Sequence, residues 1–213
     1  MLLHLGMDGK LLSRFEEIAD GLANEGIAII DGFLSPDEVL SIHSLDEFKN
    51  GLKRFRQSGI GKHHGKQINE SIRGDYIQWI DRYSAWPPLQ CYIDRLDQLT
   101  NFLNQSLFLS LKDFEIHLTI FPKGSFYKRH LDQFKRDDHR KLSVICYLND
   151  NWKEDDGGQL RVYFPAGSKD YFPIAGRLVC FRSDLLEHEV LPATRDRLSI
   201  TGWLLDVSAA TGF

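Results

Sequence analysis

The feature that most constrains the fold is a change of pattern at Asp113, after which apolar residues recur at alternate positions. The segment 114–121 alternates with period two, as expected for a strand with one buried face. Clusters of Asn, Asp, Gly and Pro separate it from four further strand-like runs, at 143–148, 159–164, 178–181 and 198–205. Several short strands at this close spacing predict a β-sandwich or a jelly roll.

The first 110 residues show a helical pattern instead. Apolar residues at helical spacing predict a helix that precedes a short buried strand at 27–30. Ser35 and Pro36 are typical of an N-cap and a first helical turn, so a second helix is expected there, continuing into the 47–55 region. A long amphipathic helix is expected after Pro88. These helices are predicted to pack on one face of the β-core.

The segment 57–71 is polar and rich in glycine, which predicts a mobile loop. It contains two adjacent histidines, His63 and His64. Neighbouring side chains on flexible backbone rarely converge on one ion, and no third ligand lies nearby in the sequence. We therefore expect these two histidines to be solvated rather than to bind a metal.

The composition, 42% hydrophobic and 26% charged, is typical of a soluble globular protein, and no linker divides the 213 residues. We expect one domain over 1–213, with a helical N-terminal support at 1–110 and a β-core at 111–207. The net charge of −4 provides no basic field for a nucleic-acid backbone, so no nucleic-acid partner is expected.

Cytoplasmic localisation is expected from three further features of the sequence. The longest apolar runs are shorter than the ~20 residues that cross a bilayer, so no membrane association is predicted. The N-terminus becomes acidic at Asp8, too early for a secretory signal. Cys91, Cys146 and Cys180 form neither a metal-type CxxC motif nor a disulfide framework, which indicates reduced thiols.

The sequence His130-Leu131-Asp132 is the sharpest local signal for chemistry. In an extended segment, residues i and i+2 face the same side, so this imidazole and carboxylate can bind one ion. His188, a short turn after the run at 178–181, is the best placed third ligand. Two histidines and one carboxylate form the facial triad of non-haem Fe(II) sites, whereas hydrolytic zinc prefers a tetrahedral site. We therefore predict Fe(II) held by His130, Asp132 and His188.

Arg197, nine residues after His188, is a candidate carboxylate clamp. An arginine aimed into the β-core would carry a large desolvation cost unless it met an anion. Its planar guanidinium suits bidentate binding of a carboxylate, here the far carboxylate of a dicarboxylate co-substrate that chelates iron at its other end. The alternative is a surface arginine paired with Asp196 or Glu189.

The order His130-x-Asp132, His188 and Arg197 resembles that of the 2-oxoglutarate- and Fe(II)-dependent dioxygenases, which fold as a double-stranded β-helix. Three longer stretches are similar to prolyl hydroxylases of the hypoxia-inducible-factor type, at 71–80, 147–161 and 188–203. The first contains the Ile-Arg-Gly-Asp element, which generic members of the superfamily are not expected to carry. The resemblance therefore implies a double-stranded β-helix core and a prolyl hydroxylase site.

The resemblance also implies roles for residues around the site. Tyr147 would add a hydroxyl group to the carboxylate that Arg197 binds, and Thr201 would assist. Arg73 and Asp75 would contact substrate beside the mobile loop, although an ion pair at the edge of an element explains them equally well.

Three aromatic or basic residues complete the expected pocket. Arg140 would contact substrate, with a solvated charge run as the alternative, and Trp203 would form a pocket wall, with core packing as the alternative. Phe121 stands where animal relatives are expected to carry a tyrosine that reaches the co-substrate. Because phenylalanine cannot donate that hydrogen bond, the affinity for 2-oxoglutarate is expected to differ.

The implied reaction is hydroxylation of a protein proline with Fe(II), O₂ and 2-oxoglutarate, supported by ascorbate as reductant. The expected products are hydroxyproline, succinate and CO₂, and small bacterial members of the family point to elongation factor Tu as the substrate protein. Alternatives are a related oxygenase that acts on another amino acid or a nucleobase, a non-catalytic sensor module, and a zinc hydrolase.

Overall fold

The computed structural model describes residues 8–49, 51–59, 69, 71–83, 85–133 and 138–208. Within these residues it contains four α-helices: α1 Gly9–Asn24, α2 Pro36–His43, α3 Asp46–Lys49 and α4 Pro87–Leu107. Two short 3₁₀ turns lie at Gly51–Arg54 and Glu154–Asp156.

The described residues also form eleven strands, which are numbered in chain order. They are β1 Ile27–Ile30, β2 Arg56–Gln57, β3 Tyr76–Ile80, β4 Asp113–Phe121, β5 Tyr127–His130, β6 Arg140–Tyr147, β7 Leu160–Phe164, β8 Gly167–Tyr171, β9 Leu178–Arg182, β10 His188–Val190 and β11 Arg197–Leu205.

The strands form two antiparallel sheets. The larger sheet has the order β1-β9-β6-β11-β4-β3-β2, and the smaller sheet has the order β5-β10-β7-β8. Strands that are neighbours in a sheet are mostly not neighbours in sequence, because the chain crosses repeatedly from one sheet to the other. This topology agrees with the predicted jelly roll.

The two faces of the larger sheet meet different surroundings because side chains alternate along each strand. One face packs with buried side chains of the helices in a single apolar cluster, so the helices lie on one side of the β-core as predicted. The opposite face packs against the smaller sheet, where Tyr147 and Phe181 join Leu160 and Val162 in a second cluster. We call the space between the two sheets the lumen; it holds the candidate site.

The long strands and helices predicted from sequence are present, with one correction. The second helix does not continue into 47–55: it ends at His43, followed by α3 and a 3₁₀ turn. The hydroxyl of Ser44 donates to the carbonyl of Ser41, and Leu45 turns into the core. Serine side chains compete in this way for backbone groups and weaken a helix.

The short strands β2, β3, β5, β8 and β10 were not anticipated as separate strands, since brief segments carry little periodic signal. The predicted mobile loop at 57–71, with its two histidines, falls mostly outside the described residues. Among the described helices, none is long and apolar enough to cross a membrane.

Candidate metal centre

Two neighbouring strands of the smaller sheet bring the predicted ligands together. His130 at the end of β5 pairs directly with His188 at the start of β10, and their ring centroids lie 4.3 Å apart. Asp132 lies just beyond β5, with Oδ1 3.4 Å from Nε2 of His130 and Oδ2 3.7 Å from Nε2 of His188. One ligand atom from each residue lies within 4.8 Å of the others. No other His, Cys, Asp or Glu side chains of the described ranges converge in this way.

Backbone carbonyls orient both imidazoles. Nδ1 of His130 lies 2.7 Å from the carbonyl of Lys128, and Nδ1 of His188 lies 3.2 Å from the carbonyl of Leu186. A carbonyl oxygen can only accept, so each Nδ1 carries the proton and donates it. In the neutral form of each ring, Nε2 therefore presents a lone pair towards Asp132, which is the orientation of a metal-bound histidine.

The carboxylate is held ionised by its neighbours. Burial by itself would raise the pKa of Asp132, but the positive charge that His188 and His130 carry when protonated and a hydrogen bond from Ser143 hold it well below its usual value. The hydroxyl of Ser143 donates to Oδ2 of Asp132 at 2.6 Å and lies 2.9 Å from the hydroxyl of Ser183. Burial lowers the pKa of His188 to about 4, although Asp132 opposes this shift. The triad is therefore ready to bind a cation at neutral pH.

These observations fit Fe(II). Two neutral imidazole nitrogens and one ionised carboxylate converge on one point, and this donor set is that of a two-histidine, one-carboxylate iron site. The ring of Tyr127 stacks on His130 at 3.6 Å, and the ring of Phe181 meets His188 edge-on at 4.7 Å. These aromatic contacts restrict the rotation of both imidazoles.

Arg197 lies at the start of β11 and points into the lumen with 1% of its surface exposed. Its Nε donates to the carbonyl of Gly158 at 2.9 Å, whereas its Nη2 is buried without a hydrogen-bond partner. The guanidinium lies over the rings of Phe121 and Tyr147, 5.2 and 4.8 Å from their centroids, and burial lowers the pKa of Arg197. The alternative of a surface arginine does not fit this position.

The hydroxyl of Tyr147 is also buried without a partner of good hydrogen-bond geometry, and it lies beside the Arg197 guanidinium, which acts to lower its pKa against the effect of burial. Two orphaned donors side by side are costly in a protein interior unless a ligand satisfies them. A carboxylate would accept from both. The hydroxyl of Thr201, on the same face of β11, lies 3.1 Å from that of Ser199, and its contribution to co-substrate binding stays a prediction.

Arg73 and Asp75 form a two-point ion pair, with Nε–Oδ1 and Nη2–Oδ2 distances of 2.7 and 2.5 Å. Ser58 donates to the same carboxylate at 2.8 Å, and Asp75 is fully buried. The guanidinium of Arg73 lies 4.2 Å from the centre of the Tyr127 ring, which itself stacks on His130. The pair therefore adjoins the metal centre, and its contact with a substrate stays a prediction.

In the lumen Trp203 forms an aromatic group with His117 and Trp79. Their ring centroids lie 5.6 and 6.4 Å, respectively, from the centroid of Trp203. Its indole Nε1 is buried without a partner. The guanidinium of Arg140 stacks on Trp203 at 3.4 Å and binds Glu115, so it is fixed in place rather than part of a solvated charge run. Whether Arg140 and Trp203 touch a substrate stays a prediction.

Sequence reasoning missed four residues that support the site. Ser143, a lone polar residue in an apolar strand, was the detectable one, because buried polar groups need a partner. Tyr127, the Gly158 carbonyl and His117 act through contacts between distant segments, which no local pattern reveals.

His117 gives a testable pH dependence. Burial lowers the pKa of His117 from 6.5 to about 3, although Asp75 opposes this shift. Below pH 6.5, His117 of the unfolded chain becomes protonated, whereas His117 of the folded protein stays neutral until about pH 3. The free energy of unfolding therefore falls as the pH is lowered across this window, by up to about 1.4 kcal/mol per pH unit. Chemical unfolding of the metal-free protein should show a shallower pH dependence for His117→Gln than for the wild type. Parallel curves for the two proteins would contradict the assignment.

Comparison with known proteins places the chain among oxygenases. The family model of the 2OG-Fe(II) oxygenase superfamily matches residues 116–205, which span β4 to β11. A crystal structure of a prolyl-4-hydroxylase from Pseudomonas putida is 41% identical, with a TM-score of 0.80, and the match covers 90% of this chain and 98% of that one.

Two animal relatives extend the similarity. A Trichoplax adhaerens prolyl hydroxylase, solved with a hypoxia-inducible-factor oxygen degradation domain peptide, is 30% identical with a TM-score of 0.81, covering 92% of this chain and 91% of that one. The hypoxia-inducible factor prolyl hydroxylase of Caenorhabditis elegans is 32% identical over 97% of this chain. The chain spans only 30% of the length of that relative.

The fold and the converging triad thus define a 2OG-Fe(II) oxygenase with a double-stranded β-helix core, as expected from the sequence. Within that superfamily, the chain belongs to the prolyl hydroxylases.

Proposed function

We propose that this protein hydroxylates a proline in a protein substrate, using Fe(II), 2-oxoglutarate and O₂ and releasing hydroxyproline, succinate and CO₂. The observation that carries the proposal is the pairing of two features in one lumen. The first is the convergent triad of His130, Asp132 and His188. The second is the orphaned pair of polar atoms, Nη2 of Arg197 and the hydroxyl of Tyr147.

In this proposal His130, Asp132 and His188 hold the metal. Fe(II) held there would supply the redox chemistry that couples O₂ activation to oxidative decarboxylation of 2-oxoglutarate. Arg197 and Tyr147 bind the far carboxylate and orient the co-substrate. Their burial keeps water away from the ion pair, which strengthens it and fixes the position of the reacting end.

The substrate proline would enter beside the aromatic group of the lumen. Trp79 and Trp203 offer apolar faces for a pyrrolidine ring, and the unpartnered Nε1 of Trp203 can donate to an oxygen of the substrate. Arg140 holds the indole of Trp203 in place from one side. Arg73 and Asp75 border this region through Tyr127 and would contribute to the entrance.

A protein rather than a free amino acid is the proposed substrate, supported by the Trichoplax relative, which was solved with a peptide. We propose elongation factor Tu as the first candidate, with the reaction taking place in the cytoplasm and ascorbate keeping the iron reduced.

The test supplies the Fe(II)-loaded protein with 2-oxoglutarate, ascorbate, labelled O₂ and candidate proteins, elongation factor Tu among them. We expect succinate release together with a gain of one labelled oxygen atom on a proline, located by tandem mass spectrometry. A labelled oxygen on a lysine or another residue of these proteins, and none on proline, would overturn the prolyl assignment. Absence of succinate under all of these conditions would instead favour a module without turnover and overturn the enzymatic proposal.

A further inference from the structure

We infer that the turn formed by Gly157 and Gly158 positions Arg197, so that the backbone carbonyl of Gly158 sets the affinity of the site for 2-oxoglutarate. The inference rests on the proposed role of Arg197 as the carboxylate clamp. It assigns to the glycine turn a positioning role, since no atom of the turn needs to touch the co-substrate.

The hydrogen bond between the two residues fixes the guanidinium plane. Nε of Arg197 donates to the carbonyl of Gly158 at 2.9 Å, while Nη2 stays without a partner. Because the guanidinium is planar and rigid, holding Nε determines where both terminal nitrogens point. The stacked rings of Phe121 and Tyr147 restrict the remaining rotation.

The turn itself is held from two directions. The indole Nε1 of Trp152 donates to the carbonyl of Gly157 at 3.0 Å, and the backbone N–H of Gly158 donates to the carbonyl of Pro192 at 3.0 Å. The segment that delivers the carbonyl is therefore anchored to the chain just before β11. These two hydrogen bonds fix the position of the Gly158 carbonyl relative to Arg197.

Both positions exclude a side chain. Gly157 and Gly158 have φ values of +70° and +69°, a region that favours glycine. A Cβ on Gly158 would lie 3.0 Å from both Cβ of Ala193 and Cζ2 of Trp152, and 3.4 Å from Cδ of Arg197. A methyl group there would therefore press on Ala193 and Trp152 and shift the turn together with its carbonyl.

A left-handed backbone does not by itself cause the crowding that a Cβ at Gly158 would meet. Gly124 has a similar φ of +79°, but a Cβ added there would meet nothing within 4 Å. The comparison separates two effects: Gly124→Ala carries the backbone strain, whereas Gly158→Ala carries similar strain and also crowds Ala193 and Trp152, which shifts the carbonyl that Arg197 binds. Gly124→Ala is thus a matched control.

The experiment measures 2-oxoglutarate binding to the Fe(II)-loaded protein without O₂, by calorimetry, and Fe(II) binding separately. We expect Gly158→Ala to weaken 2-oxoglutarate binding about ten-fold, with Fe(II) binding unchanged, and Gly124→Ala to change neither. In turnover assays Gly158→Ala should raise KM for 2-oxoglutarate more than it lowers kcat. Equal weakening by the two alanine variants would overturn the inference.

A double-mutant cycle tests whether the turn acts through Arg197. If it does, Gly158→Ala should cause no further loss of 2-oxoglutarate affinity in an Arg197→Ala background. Additive losses would overturn the inference. Should Gly158→Ala fail to fold, Trp152→Phe removes one anchor of the turn and should weaken 2-oxoglutarate binding in the same cycle; unchanged affinity in Trp152→Phe would then count against it.

These measurements distinguish failure of the Arg197 clamp from failure of the positioning role of the glycine turn. Unchanged 2-oxoglutarate affinity in Arg197→Ala would overturn the clamp and with it the proposed site. Unchanged affinity in Gly158→Ala, alongside a strong loss in Arg197→Ala, would overturn the positioning role of the turn alone.

Discussion

Asp132→Ala is expected to abolish productive Fe(II) binding, with affinity reduced at least ~100-fold and succinate formation lost. The carboxylate supplies the one anionic ligand, and its two oxygens lie between the Nε2 atoms of His130 and His188. Without it, two neutral imidazoles remain, and two ligands without a negative charge hold a divalent ion weakly. Metal titration of the purified protein and succinate release measure the two effects.

Asp138→Ala provides the control for this change. Asp138 follows six residues later, and its side chain is 76% exposed. We expect wild-type metal binding and succinate release in this variant. Asp132→Asn should keep the hydrogen bond from Ser143 but lose the charge, so its metal affinity should fall strongly as well. Undiminished Fe(II) binding in Asp132→Ala would show that the ligand set is wrong.

Arg197→Ala is expected to weaken 2-oxoglutarate binding about 100-fold, since loss of one partner of a buried charge pair costs about 2 to 5 kcal/mol. Fe(II) binding should be nearly unchanged, because Arg197 is not among the converging ligand residues. Arg197→Lys should be intermediate, because an ammonium group keeps the charge but loses the planar fork. Calorimetry with the Fe(II)-loaded protein measures these affinities.

Stability offers an independent readout of the same residue. Without co-substrate, Nη2 of Arg197 is a buried donor that lacks a partner, which costs folding free energy. We expect Arg197→Met to raise the unfolding temperature of the ligand-free protein and to lose the stabilisation that 2-oxoglutarate gives the wild type.

The control for both measurements is Arg161→Ala, which removes an arginine whose partners are Asp170 and Glu189 on the half-exposed outer side of the smaller sheet. Its 2-oxoglutarate affinity should match that of the wild type. Loss of iron in Arg197→Ala would argue against the clamp and in favour of a role in shaping the metal centre.

The predictable part of the fold is the part with strong local periodicity. The long strands β4, β6 and β11 and the helices α1 and α4 were evident from the spacing of apolar residues, because each buries a continuous face. The break after His43 was missed because one serine, Ser44, is a weak local signal, and the burial of Leu45 decides the direction of the chain.

The sequence by itself determined the candidate chemistry: a His-x-Asp pair, a distant histidine and an arginine, in an order shared with oxygenases. The tertiary structure decided what those residues can do. The pairing of β5 with β10 brings His130 to His188, although they are 58 positions apart in the sequence, and hydrogen bonds to backbone carbonyls favour the Nδ1-protonated tautomer of both.

The environment of Arg197 likewise exists only in the folded chain. Its burial, its bond to Gly158 and its orphaned Nη2 arise from segments that meet across the lumen. Local patterns record which faces are apolar, since that information lies within a few residues. Contacts between distant segments depend on how two sheets close around one space, so only the tertiary structure defines the site.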